Sequence, residues 1–215
     1  MNIAGKKLQK GMSLLELLIA LTLSIFVIAA LVVLFIASKG NYRLNENLAR
    51  LQENGRFASS FLMRDLRLAD YHACVTADLL PTAIAGENDT GLNSSDTITI
   101  IWQTNVCGAA ISTVTTVYSV QTGASGAPAL FRSVGGVDTE LVEGIENLQI
   151  LYGEDTDEDF VPEYYVNAAS VTDMAQAISV RFRLVARTLE TNVATDGGRI
   201  TRDFVSTVML RNRLP

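Results

Sequence analysis

Histidine and cysteine are scarce in this 215-residue chain: His72 is the single histidine, and Cys74 and Cys107 are the two cysteines. A zinc site needs a cluster of nitrogen and sulfur ligands, and the sequence offers none. A histidine-based triad would rest on His72 alone, and Cys74 has no activating context. No glycine-rich phosphate loop is present. Basic residues are outnumbered, 17 against 23 acidic ones, for a net charge of -6. That balance argues against nucleic acid as a partner, because phosphate binding needs a basic face. These shortages point to a protein that is not an enzyme.

Proline is absent before Pro81, which leaves the first third of the chain free to be helical. Within it, the 27 residues from Met12 to Ser38 carry one formal charge, Glu16, with Ser13, Thr22 and Ser24 as the other polar side chains. As a helix this run rises roughly 40 Å, enough to cross a hydrocarbon core of about 30 Å with some tilt. Lys6, Lys7 and Lys10 precede it without an acidic residue among them. They predict a cytoplasmic N-terminus and translocation of everything after Lys39. A secretory signal peptide has a much shorter apolar region, followed by its cleavage site. A plain single-span anchor fits the length and the flanks, but leaves Glu16 without a reason. A glutamate in lipid costs on the order of 2.5 to 3.5 kcal/mol on insertion scales, unless it lies near enough to the headgroups to snorkel.

Beyond Ser38 a helical spacing continues through Leu44, Leu48, Leu51, Gly55, Ala58, Leu62, Leu66 and Ala69. Steps of three and four residues put all eight on one face. Arg43, Glu46, Arg50, Glu53 and Arg64 lie opposite, and Glu46 with Arg50 is a favourable i, i+4 pair. Asn54-Gly55 is a turn dipeptide, but the register runs through it without a slip, so a continuous helix from Met12 to about Ala69 is expected, at a cost of roughly 1 kcal/mol for the glycine. After it come short β-prone runs: 96–102, 113–120, 128–134, 146–153, 176–188 and 199–212. The stretch 76–95 is rich in Ala, Gly, Asn, Asp and Ser and reads as loop. The fold class is α+β, a long helix against one antiparallel sheet with its other face in water. The expected divisions are 1–11, 12–38, 39–72 and 73–215. Cys74 follows the helix and Cys107 follows a strand. With that part of the chain exported and an even count, a disulfide is expected over free thiols. Closing a loop of about 34 residues contributes roughly 3 to 4 kcal/mol in the chain-entropy account.

The stretch "KGMSLLE", Lys10 to Glu16, resembles the processing site of the type IV pilin family. There a short basic leader ends in glycine, the cut follows that glycine, the first mature residue is hydrophobic and the fifth is glutamate. The resemblance implies cleavage between Gly11 and Met12, N-methylation of Met12, and an assembly role for Glu16 against the Met12 amine of a neighbouring subunit. Met12 stands where phenylalanine is usual. "YRLNENLARLQENGRFASSFLMRDLRLADYHAC", "LVEGIENLQILYGEDTDED" and "FVSTVMLRNRL" look like the PilW family of minor pilins, with the GspJ minor pseudopilins of type II secretion as a related class. Membership implies a pilin-like fold, no enzymatic activity, and a place near the pilus tip after helping to initiate assembly and twitching motility. The implied partners are other minor pilins, the major pilin, the prepilin peptidase with its methyltransferase, and an inner-membrane assembly platform. The implied location is the bacterial inner membrane, single-pass with a periplasmic C-terminal domain, and then the pilus at the cell surface. A reading of another class is a membrane-anchored periplasmic binding domain that does not assemble.

In "EDTDEDFVPEYYVN" the side chains of Asp155, Asp157, Asp159 and Glu163 and the carbonyl of Val161 fall at alternating positions. Alternating oxygens of this kind can converge on Ca2+ as in an EF-hand loop. Phe160 sits where the sharp turn wants glycine, and Val166 where a closing glutamate would stand. A solvated acidic hairpin tip is the competing reading.

Overall fold

The computed structural model describes residues 11–72, 83–104, 112–191 and 197–213. Both cysteines of the expected disulfide, Cys74 and Cys107, and the three leader lysines lie outside the described residues. Two compact units are present, Met1–Asn45 and Glu46–Pro215.

A single α-helix, α1, covers Leu14–Leu66. In the first unit every described residue from Gly11 to Arg43 is exposed. This apolar stretch is long enough to cross a membrane, and none of it is buried. In the second unit the expected stripe turns inward: Leu51, Gly55, Ala58, Leu62, Leu66 and Ala69 are buried. The helix passes through Asn54-Gly55 unbroken. A Cβ at Gly55 would overlap the ring of Phe204, so the missing side chain is where the aromatic ring seats on the helix. Asn54 spends its amide on the Glu143 carbonyl, at 2.9 Å.

Among the described residues nine strands follow, in two antiparallel sheets. β1 (Ile84–Glu87), β2 (Thr97–Gln103), β3 (Thr113–Thr122), β4 (Pro128–Val134) and β5 (Val137–Glu143) pair in sequence order. β6 (Ile145–Glu154), β7 (Tyr164–Val166), β8 (Ala177–Arg187) and β9 (Thr201–Met209) form the second sheet in the order β7-β6-β8-β9. Two sheets replace the one expected because the chain leaves the first at Gly144. This residue adopts φ +79°, and a Cβ there would lie 2.9 Å from the Arg187 carbonyl. Its own carbonyl accepts from Arg187 N at 2.8 Å, which commits β6 to β8 rather than to β5. The expectation of loop over 76–95 is corrected by β1. It is a four-residue strand with no alternating run to announce it.

The sheets are sewn together at the start of β2. Ser95 Oγ accepts from Leu148 N at 3.2 Å, and Asp96 Oδ2 accepts from Ile150 N at 2.7 Å. Between helix and sheets lies one core, with Leu62 and Leu66 from α1, Ile98, Ile100 and Tyr118 from the first sheet, and Ile150, Phe182 and Leu184 from the second. β8 shows the expected alternation, with Arg181 and Arg183 exposed between buried neighbours.

Candidate functional site

Three places bear on function. The first is the start of α1. Gly11, Met12 and Ser13 precede the helix, Leu17 N donates to Ser13 O at 3.1 Å, and Glu16 falls in the first turn. A carboxylate there lies at the positive end of the helix dipole. Among the described residues Glu16 has no side-chain partner, and the leucines and isoleucines that follow it are half or more exposed. The helix therefore presents an apolar surface that its own unit leaves uncovered, headed by one acid.

The second is the acidic loop between β6 and β7. Asp155, Asp157, Asp159 and Glu163 each bring one carboxylate oxygen within 4.8 Å of the others, so the four side chains singled out in the sequence do converge. Each also accepts a backbone N–H inside the loop. Asp155 accepts from Phe160 (2.9 Å), Asp157 from Asp159 (3.3 Å), Asp159 from Val161 (2.8 Å) and Glu163 from Thr156 (2.8 Å). The Thr156 hydrogen bond holds the Glu163 carboxyl below the ordinary carboxylate range. Partial loss of solvent, and then the charge of Asp159, raise Asp157. Phe160 takes φ +66°, the left-handed backbone that the loop would normally assign to glycine, and a bulky residue is strained there. Val166 pairs with Tyr152 in β7, so Glu163 is the acid that closes the group. Four carboxylates brought together suit a hard divalent cation.

The third place was not visible in the sequence reading. Asp65, one residue before Leu66 on α1, is buried, and its Oδ2 accepts from Tyr118 Oη and from Arg132 Nε, both at 2.7 Å. Arg64 Nε reaches the other oxygen at 3.1 Å. Burial first, and then the neighbouring carboxylate, push the Tyr118 phenol upward. Burial works against the charge of Arg132, but the hydrogen bond and charge of Asp65 outweigh it and raise that group. The spacing held the clue, since Asp65 is three residues after Leu62 and therefore borders the buried stripe. This trio anchors the helix to β3 and β4. The sole histidine, His72, sits 3.0 Å from Asp70 Oδ1, and Asp70 also meets Arg213 at 3.2 Å. Those contacts fasten Arg213 beside the end of the helix.

Residues 117–199, most of β3 through the whole of β8, match the family model of PilW, the type IV pilus-assembly protein W. Over those 83 of the 215 residues the chain is similar to PilW. No curated protein matches it. The match likens this stretch to a type IV pilus-assembly protein. The matched stretch contains the acidic loop, so that loop is part of the PilW-like sheet domain and not an appendage to it. The apolar helix ahead of this domain is compatible with membrane anchoring.

Proposed function

We propose that this chain is a minor pilin, inserted in the bacterial inner membrane with its N-terminus inside, cut between Gly11 and Met12, N-methylated on Met12, and drawn into the complex that primes a type IV pilus near its tip. One observation carries the reading. Glu16 heads a 23-residue exposed apolar helix face, Leu14–Ile36, and has no partner among the described residues of its own chain. In lipid an unpaired carboxylate costs on the order of 2.5 to 3.5 kcal/mol. The amine freed at Met12 of an adjacent subunit removes that cost, because attraction between opposite charges a few Å apart is strong where water is excluded. The helix then packs sideways against other pilins. Further along it, Phe57 is 46% exposed and stacks edge-on to Phe61 with centroids 4.6 Å apart, which adds an aromatic contact surface outside the membrane. The mechanism is scaffolding, with the prepilin peptidase and the assembly platform as processing and docking partners. Because the matched family is one of pilus assembly, a pilus is proposed here in preference to a GspJ-type secretion pseudopilus.

Mass spectrometry of the mature N-terminus tests cleavage: N-methylated Met12 is expected, and a chain still starting at Met1 refutes it. Glu16→Ala should insert normally and lower surface piliation. Full piliation in that variant would remove the role assigned to Glu16. A second reading, favoured by the converging carboxylates of 155–163, is an anchored periplasmic calcium-binding domain that does not assemble. An unprocessed N-terminus combined with calcium binding would select it.

A further inference from the structure

The second sheet ends on β9, which has no strand on its far side among the described residues. The hydrogen-bond phase tells which groups it offers. Leu210 N donates to Ile178 O at 2.8 Å and Thr188 N donates to Ile200 O at 2.9 Å, so the even-numbered residues exchange bonds with β8 along an unbroken register from Ser179↔Met209 to Arg187↔Thr201. In antiparallel pairing the residues between them turn their N–H and C=O groups the other way. Asp203, Val205, Thr207 and Met209 therefore present main-chain donors and acceptors to the outside.

Sheets ordinarily guard such edges with short strands, charges, proline or bulges. The other edges here are guarded. β1 and β7 have four and three residues. β5 carries Asp138, Glu140 and Glu143, and it is covered by the turn whose Ala124 N donates to Glu140 at 2.8 Å and whose Ser125 hydroxyl donates to Glu143. β9 runs for nine residues without proline and without a register shift, and Val205 on it is 59% exposed.

Beside this edge, between α1 and the end of β9, lies a groove of about 560 Å³ lined by Met63, Arg64, Arg67, Tyr71 and Arg211 among others. A second hollow of about 370 Å³ lies further along the same seam, with Arg56 and Arg202 around Phe204. The guanidinium groups of Arg67, Arg202 and Arg211 are exposed and have no ion-pair partner among the described residues. Arg56 and Arg64 of this seam are paired with Glu53 and Asp65, but in a chain of net charge -6 the three unpaired arginines are a local inversion of sign, and complementarity selects an acidic occupant.

We propose that the β9 edge and the arginine seam beside it bind an extended, acidic segment of another protein, which adds to the second sheet as a fifth strand. Main-chain bonds to the odd-numbered residues supply the pairing, and carboxylates at alternate positions of the incoming strand meet Arg202, Arg67 and Arg211. The site does not depend on pilus assembly and holds for the anchored monomer as well.

The experiment uses the full-length chain in nonionic detergent and a fluorescein-labelled synthetic peptide of alternating glutamate and valine, read by anisotropy. Saturable binding is expected, about tenfold or more tighter than that of the matching lysine-valine peptide, and weakened about tenfold or more by Arg202→Glu with Arg211→Glu. Val205→Pro, which deletes an edge N–H, should abolish binding, while Val205→Thr should retain it. Because the proline could disturb the strand, the charge-reversed variant, with circular dichroism unchanged, provides the independent check. Equal binding of the two peptides, or binding indifferent to the arginine reversals, overturns the proposal. So does sedimentation showing that the edge pairs with a second copy of the chain while the acidic peptide stays free.

Discussion

Replacing Asp65 by alanine should cost about 3 kcal/mol of stability. The carboxylate is 2% exposed as a side chain and satisfies two donors at 2.7 Å, the Tyr118 hydroxyl and Arg132 Nε. Breaking a buried charged pair by removing one member typically costs about 3 to 5 kcal/mol, because the other is left uncompensated. The lower end applies here, since the Arg132 side chain retains 23% exposure and can turn toward water. The Tyr118 hydroxyl, in a fully buried residue, cannot. Tyr118→Phe alone removes one hydrogen bond to a charged group, about 1.5 to 3 kcal/mol. Once Tyr118 is phenylalanine there is no orphaned hydroxyl for Asp65→Ala to leave behind. The double variant should therefore fall short of the sum of the singles by about 1 kcal/mol or more. Urea denaturation of the detergent-solubilised chain, followed by circular dichroism at constant m-value, measures all three. A cost below about 1 kcal/mol for Asp65→Ala, or strict additivity in the cycle, would refute the claim that this trio anchors the helix to the first sheet.

Gly55→Ala sets a helix-propensity gain of about 1 kcal/mol against overlap with the Phe204 ring. Overpacking of about 1 to 3 kcal/mol should win, giving a lower urea midpoint, with a higher one contradicting the packing account. Phe160→Gly should raise stability by up to about 1 kcal/mol by relieving the residue held at φ +66°, since strained positions of this kind store of that order; a drop in melting temperature would count against it. Calcium should raise the melting temperature through Asp155, Asp157, Asp159 and Glu163, and chelator should reverse the rise. Identical melting curves with and without the ion would leave the loop as a hairpin tip held by its own hydrogen bonds. For pH, Glu163 is depressed in the folded state, so its contribution is present above the ordinary carboxylate range and is lost as pH falls through the depressed value. Asp157 is raised, so it opposes folding at neutral pH and ceases to do so once protonated. Glu163→Gln should therefore destabilise and Asp157→Asn stabilise at neutral pH, both differences shrinking in acid. Melting curves across that range supply the check, and reversed signs would refute it.

The helix was legible because its evidence is cumulative: eight small or apolar residues keep one register through Gly55, and six of them are buried where the sheets begin. The strands foreseen included those rich in β-branched residues, such as 96–102 and 113–120. β1 and β7 are too short to alternate, and β5 mixes three acids into its seven residues. The division into two sheets turns on Gly144, whose backbone angle no pattern of side chains reveals. At the acidic loop, the alternating carboxylates announced their own convergence. The burial of Asp65 did not show, because its partners Tyr118 and Arg132 lie 53 and 67 residues further on. The open side of β9 was equally hidden, since edge status depends on the order in which strands pair and not on the composition of any one of them.

The switch at Gly144 also shapes how the molecule can fold. Every strand of the first sheet is encoded before it and every strand of the second after it, so each layer closes from short-range pairings and neither waits for chain supplied by the other. Such locality favours rapid folding, and it lets the layers form one after the other as a polypeptide emerges vectorially. The exception is the seam at Ser95 and Asp96, where Ser95 Oγ and Asp96 Oδ2 wait for the N–H groups of Leu148 and Ile150. Registration of the two layers is thus the late, cooperative event.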